Sequence, residues 1–256
     1  MTGMDDGANP YASPGAESGI LVPGYYACDM RRLSLRELWR MSPTWAYPLV
    51  VLMVKLGALN RNGNYIYLPA TASDERCAEE EIPERVRASL EPLLRTATAA
   101  GFAVRMWGMD QRSVQTSSAM ESGGVYLFNG RDTACWLVSV QGHAQGNPVG
   151  KTLVSFGSIA RDSGLMLSTR TEDRGFDHHP HVRTTVVRGA DFATLLAAHQ
   201  ARLRDGDFAI SADAYFRRLD VIGLESWEAR VRNGLYRRVA GTREELLALI
   251  GPRAGA

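Results

Sequence analysis

Three of the five histidines, His178, His179 and His181, fall in one short stretch, with Asp177 beside them and Glu172 and Asp173 just upstream. Neutral imidazoles are good ligands for zinc or nickel. Side chains alternate in an extended chain, so His179 and His181 would share one side and offer two ligands together. A metal-assisted hydrolase is the chemistry this loop could serve. Such a site also needs a third ligand and partners that orient the rings, and the local spacing supplies neither. His143 and His199 are the distant candidates. His199, however, shares a helical face with Leu195, Leu196 and Leu203, the setting of a hydrogen-bonded core histidine. The loop therefore reads first as a polar connection, and no metal or cofactor is expected.

Two further patterns imitate active sites. Gln145-Gly146-Asn147-Pro148-Val149-Gly150-Lys151-Thr152 ends like a phosphate-binding loop. That pattern requires glycine where Gln145 stands, Pro148 stiffens the segment, and the following residues alternate like a strand where a helix N-terminus should receive the phosphate. A hairpin connection fits better. Cys135 sits in an apolar strand, where a buried thiol is inert, and no serine stands in a nucleophile-elbow context. Met41, Met53, Trp45 and Trp107 read as packing residues. Arg217, Arg218, Arg230, Arg232, Arg237 and Arg238, interleaved with Trp227 and Tyr236, suggest a nucleic-acid surface. Asp213, Asp220, Glu225, Glu228, Glu244 and Glu245 lie among them and give a salt-bridged solvated face instead. A net charge of +1, from 29 basic and 28 acidic residues, also lacks the basic balance that tracking phosphates requires. No nucleic-acid partner is expected.

The elements that carry these residues begin with an apolar run from Trp45 to Leu59. A spanning helix needs about 20 apolar residues, and this run is shorter. Lys55 near a helix centre would cost about 3 kcal/mol, which offsets the insertion gain of the neighbouring leucines and valines. A buried helix is the first reading of this N-terminal apolar helix, an interfacial segment the second and a true span the third. Immediately before it, Leu33-Ser34-Leu35-Arg36-Glu37-Leu38 spells a capping box, with Ser34 as N-cap, Glu37 at N3 and Leu33 stapled to Leu38. Leu35, Leu38 and Trp39 would share one face. Arg32, Arg36 and Arg40 put positive charge beside the run, as at an anionic membrane surface, where Leu49, Leu52 and Val54 would enter the interface.

From Asn64 onward the pattern is α+β. A strand over Asn64–Leu68 is followed by a helix from about Pro83, carrying Val86, Leu90, Leu93, Leu94 and Ala97 on one face, with Pro92 as a kink or break and Gly101 as a left-handed stop. Phe102, Val104 and Met106 alternate with Ala103, Arg105 and Trp107. Residues Gly124 to Val140 read as a hairpin about Asn129-Gly130. Strands over Thr152–Ser158, Leu165–Thr169 and Val182–Val187 extend it into an antiparallel meander, which the helix Phe192–Arg204, capped by Asp191, would cover. Ser211 starts a helical C-terminal extension, with a second helix over Glu225–Val239 and a capping box at Thr242-x-x-Glu245. The partition expected is a tail over 1–23, the capped and apolar helices over 30–60, an α+β core over 64–205 and the extension over 208–251. The tail is rich in Gly, Ala, Pro and Ser and reads as disordered. Cys28, Cys77 and Cys135, odd in number and widely spaced, suit a reducing compartment, and with no secretory signal a cytoplasmic setting is expected.

Gly101-Phe102, the hairpin, Val154-Ser155-Phe156-Gly157-Ser158, Asp162-Ser163-Gly164-Leu165, Leu167-Ser168-Thr169 and Leu195-Leu196-Ala197-Ala198-His199 together resemble a domain that recurs in uncharacterised bacterial proteins. The resemblance covers residues 80 to 205 and implies the same α+β fold beside an N-terminal apolar segment. It carries no activity and no functional residue. The expected function is a non-enzymatic binding or accessory module, acting through a protein partner or peripherally at a membrane surface. The alternatives are the hydrolase built on His178, His179 and His181, and a structural homo-oligomer.

Overall fold

Val125, Leu127, Cys135, Leu137, Val154 and Phe156, alternate residues on three neighbouring strands, line one sealed face of a sheet. The computed structural model describes residues 22–41, 46–57, 65–68, 76–109, 113–114, 121–144, 147–172, 181–204 and 206–250. In chain order the elements are β1 (Gly24–Cys28), α1 (Leu35–Met41), α2 (Tyr47–Lys55), β2 (Tyr65–Leu68), β3 (Arg76–Cys77), α3 (Glu84–Ala99), β4 (Ala103–Gly108), β5 (Ser113–Val114) and β6 (Glu121–Phe128). They continue as β7 (Ala134–Ala144), β8 (Asn147–Ile159), β9 (Met166–Arg170), β10 (Val182–Val186), α4 (Phe192–Ala201), α5 (Ala212–Arg232), β11 (Tyr236–Ala240) and α6 (Arg243–Ile250). The fold is α+β, with a seven-stranded sheet in the order β10-β9-β8-β7-β6-β4-β3 and a four-stranded sheet in the order β11-β1-β2-β5.

In the larger sheet Val125, Leu127, Cys135, Leu137, Val154 and Phe156 point to one side, where Val86, Leu90 and Ala97 of α3 and Phe192 and Leu195 of α4 seal them. Each valine, leucine or phenylalanine among them contributes about 1.5–3 kcal/mol when fully buried. This core outweighs a local defect. Pro92 lies within α3, yet the helix runs unbroken, because the carbonyl its missing N–H would have met belongs to Ala88 on the exposed side. Gly101, at φ +89°, ends the helix, with Phe102 N–H donating back to the Ala97 carbonyl at 3.1 Å. The even alternation expected for β4 does not hold: the register shifts between Val104 and Met106, which leaves Val104 exposed and turns Trp107 inward.

One turn and one strand pairing also differ from expectation. The β6–β7 loop is five residues, Asn129 to Thr133, and not a two-residue Asn-Gly turn. The Asn129 side-chain oxygen accepts from the N–H groups of Arg131, Asp132 and Thr133, each at 3.0 Å, and so organises the longer loop. The meander is not wholly antiparallel, since β10 pairs with β9 in parallel, Val182 opposite Met166. Parallel neighbours cannot share a tight turn, because the chain must return to the end where the first strand began.

The smaller sheet revises the C-terminal expectation. Within residues 208–250 a strand separates two helices, and no second helix runs from 225 to 239. Instead α5 is one 21-residue helix, closed at Gly234 (φ +73°) by bonds from Gly234 N–H to the Val231 carbonyl and Leu235 N–H to the Arg230 carbonyl. The next five residues form β11, paired antiparallel with β1. β2 and β5 join the same sheet, so a boundary at residue 64 does not follow the sheets. Tyr26, Leu33, Leu38, Val54, Leu68, Trp227, Leu235 and Tyr236 form its core. α1 and α2 pack over it. The Ser34 capping box is present, with Ser34 N–H donating to Glu37 Oε2 at 2.8 Å and Glu37 N–H to Ser34 Oγ at 3.2 Å. Leu38 is buried, whereas Leu35 and Trp39 are exposed, contrary to the shared face expected of them. No helix among the described residues is long and apolar enough to cross a membrane.

Candidate functional site

His178 and His179 lie outside the described residues. His181 is exposed just before β10, its carbonyl accepting from Met166 N–H at 2.8 Å. Among the described residues no three His, Cys, Asp or Glu side chains gather as metal ligands. Glu172 forms an ion pair with Lys151 instead. That lysine, like the rest of Asn147–Thr152, belongs to strand β8 opposite β7, so the segment resembling a phosphate loop has no helix N-terminus to offer. Cys135 is buried in the main core, and burial pushes its thiol far above the usual range, where it stays protonated and unreactive.

The arrangement nearest to a nucleophile and base is Ser158, His199 and Thr169. Ser158 Oγ lies 2.9 Å from His199 Nε2, and Thr169 Oγ1 lies 2.9 Å from Nδ1. All three are fully buried between α4 and the sheet. Arg202 extends the chain of bonds, donating from Nη1 to Thr169 Oγ1 at 2.9 Å and to the Ser168 carbonyl at 2.6 Å. No substrate can reach this serine, and the group at Nδ1 is a hydroxyl where a catalytic triad has a carboxylate. The network satisfies buried polar atoms and locks α4 to β8 and β9. Burial, with the nearby Arg202 charge, pulls the His199 imidazole down to about 4.

The membrane-surface candidates separate. Leu49 (57%) and Leu52 (55%) on α2 and Leu56 (75%) at its C-terminal cap are exposed, while Tyr47, Val50, Val51 and Val54 face the small-sheet core. Val54, at 1% exposure, is therefore not an interface residue. Helical spacing explains this, since positions 47, 50, 51 and 54 form one stripe and 49, 52 and 56 the opposite one. Arg32 is exposed beside the start of α1, and Arg36 and Arg40 lie in α1 itself. Lys55 is engaged locally, its Nζ donating to the carbonyls of Arg31 at 2.8 Å and Leu33 at 2.9 Å.

A different site emerges on the second face of the large sheet. Because alternate residues point oppositely, Tyr126, Trp136, Ser155, Gly157 and Ser168 project away from α3 and α4. The first half of α5 covers part of this face, Tyr215 and Phe216 packing on Phe128, Ala134 and Ile159. The second half diverges toward the small sheet, where Trp227 is buried. A cavity of about 430 Å³ remains in the angle between helix and sheet. That is the size of a small-molecule site, and a junction between layers is a usual place for one. Tyr126 and Trp136, paired across β6 and β7, stack with ring centroids 5.2 Å apart and planes 5° from parallel. Trp136 remains 43% exposed. A side chain at Gly124 would strike the Leu137 carbonyl, and one at Gly157 would strike the Tyr215 phenol, so Gly157 makes room for that ring.

Among the described residues, the charged members of the lining are Arg76, Arg170, Asp220 and Arg230. Arg76 and Asp220 approach to 3.7 Å, and burial raises the Asp220 carboxyl while Arg76 opposes the rise. Arg170 Nη2 donates to Thr184 Oγ1 at 3.3 Å, and Arg230 lines the helical wall. Gly223 lines the cavity from the middle of α5, and a methyl group there would meet no atom within 4 Å. A mid-helix glycine costs about 1 kcal/mol relative to alanine, so packing alone gives no reason for it here. Sequence reasoning did not identify this site. Its residues come from separate strands and one helix, and only the mid-helix glycine was a local signal. Comparison of the chain with protein-family models, curated proteins and solved structures finds no match.

Proposed function

We propose that this protein is a binding module that holds a small organic molecule between α5 and the open face of its larger sheet. The observation that carries the proposal is the cavity of about 430 Å³, bounded by a stacked aromatic pair and a few polar groups. Thermal unfolding against a panel of small organic compounds tests it. A compound present at about 100 times its dissociation constant stabilises by about 2.7 kcal/mol, which for a chain of this size raises Tm by about 5–10 °C. The rise should vanish in Gly223→Leu, where a bulky side chain enters the cavity. A panel that stabilises wild type and variant equally would remove the cavity from consideration.

A second reading is favoured by three exposed leucines, two on α2 and one at its C-terminal cap, which form an apolar stripe where a solvated helix carries polar residues. Through Leu49, Leu52 and Leu56, with Arg32, Arg36 and Arg40 nearby, the module would dock peripherally on an anionic membrane. Association with anionic vesicles should then weaken as salt rises. Leu49→Ser, Leu52→Ser and Leu56→Ser together should abolish it. Failure of the folded protein to float with such vesicles at low salt would end this reading.

A further inference from the structure

Resting on the proposal that the cavity binds a ligand, we infer that the ligand is an aromatic molecule carrying an oxygen substituent, the oxygen held by the hydroxyls of Tyr215, Ser168 and Ser155 and the ring set against Trp136. The floor of the cavity supplies the first half. Gly157 stands opposite Ala134 on one side and Ser168 on the other, and Ser155 lies two residues along β8 on the same face. A side chain at Gly157 would strike the Tyr215 phenol, so α5 delivers that hydroxyl onto the sheet beside the two serines. Tyr215, Ser168 and Ser155 all line the cavity.

These hydroxyls have little to bond. Tyr215 is 3% exposed and Ser168 7%. Among the described residues the Tyr215 hydroxyl meets no hydrogen-bond partner, and those of Ser155 and Ser168 meet only each other, at 3.5 Å. A good O–H···O bond is about 2.7–2.8 Å long. Buried polar groups are ordinarily paired, so hydroxyls left over at the wall of a cavity point to a group that enters it. Burial holds the Tyr215 phenol above its usual range, and it therefore keeps its proton to donate. Each hydroxyl donates once and accepts twice, which suits the oxygen of a phenol, alcohol or carbonyl.

The ring follows from the next position on the sheet. Trp136 pairs with Ser155 across β7 and β8, one strand spacing of about 4.8 Å away. Its indole leans toward β6, where a Cβ at Gly124 would lie 3.0 Å from the indole nitrogen, and the small side chain of Ser155 leaves room on the other side. An aromatic ring placed there gains offset or edge-on contact with the indole. Oxygen site and indole are neighbours, so one molecule can engage both.

Three probes of one size, uncharged at neutral pH, separate the claims in equilibrium dialysis against the full chain. They are 2-naphthol, naphthalene, which lacks the oxygen, and 2-decalol, which keeps the oxygen on saturated rings. Wild type is expected to bind 2-naphthol at least about fivefold more tightly than naphthalene and at least about threefold more tightly than 2-decalol. Tyr215→Phe with Ser168→Ala should remove the first margin, and Trp136→Leu the second. Since the Tyr215 hydroxyl has no bond to lose, Tyr215→Phe alone should match wild type in denaturant; a lower midpoint would give that hydroxyl a structural role and overturn the inference. Ser155→Leu fills the floor and should lose 2-naphthol, and Gly223→Leu fills the helical wall if Ser155→Leu does not fold. Equal affinity of 2-naphthol and either companion, or a margin that survives its substitution, would overturn the inference, and loss of all three probes on blocking would then leave the cavity as a binding site. Failure of 2-naphthol to bind at about 1 mM would overturn it too. Binding unaffected by either blocking variant would overturn the cavity reading itself.

Discussion

His199 shows how a residue with the means for chemistry is put to structural use. Its neutral ring bonds Ser158 and Thr169, and a proton added at either nitrogen would bring a charge into a buried site beside Arg202. The folded-state value of about 4 lies below the unfolded value of 6.5, so the unfolded chain binds more protons between these limits. Stability from this residue is full above pH 6.5 and is lost as pH falls toward 4, a loss of about 3 kcal/mol. Urea unfolding of wild type should show that loss. His199→Gln should be less stable near neutrality but with a flatter acid limb; an unchanged acid limb would refute the assignment. The helical face of His199 was legible from its leucine neighbours, whereas Ser158 and Thr169 are 41 and 30 residues away and no local pattern announces them. Val54 and Leu52 illustrate the opposite difficulty. From Leu49 to Val54 every residue is apolar, so spacing alone could not choose the buried side. With the face now assigned, Val54→Asp should cost several kcal/mol, on the order of 3 or more, and Leu52→Asp no more than about 0.5 kcal/mol. Denaturant titration of the two variants distinguishes them.

At the scale of elements, signals confined to a few residues were readable. Ser34 with Glu37, Asp191 and Thr242 with Glu245 each cap the helix they were expected to cap, because a cap is decided by groups three residues apart. Helix ends set by distant pairing were harder. The stretch from Glu225 to Val239 has helical spacing, but Gly234 stops α5 and β11 satisfies its backbone against β1. Asn233-Gly234 carried the stop signal, and the arginines on both sides obscured the change to a strand. Gly234→Ala should cost about 1–2 kcal/mol, since a side chain is strained at positive φ. A variant as stable as wild type in denaturant would show that another residue ends the helix. Asn129-Gly130 likewise marked the right place for a turn, but the side chain of Asn129 built a longer loop than the dipeptide alone implies.

Across the whole molecule, the α+β class and the sealed sheet face followed from alternation and helical spacing, while the second sheet and the cavity did not. β1 and β11 are separated by more than two hundred residues, and the cavity draws on strands of the large sheet together with α5. Such assemblies are decided by which apolar surfaces meet. α5 joins the two parts, packing Phe216 near the large sheet and Trp227 into the small one. The register of β1 and β11 also governs how the molecule would bear tension. Tyr25 stands opposite Ala240 and Cys28 opposite Tyr236, so a pull between residues 24 and 240 acts at one end of their ladder. Antiparallel bonds lie across the strands, and such a pull opens them in succession, as a zip, instead of shearing them together. In single-molecule stretching from those two positions the small sheet should peel at low force, before the seven-stranded sheet begins to extend.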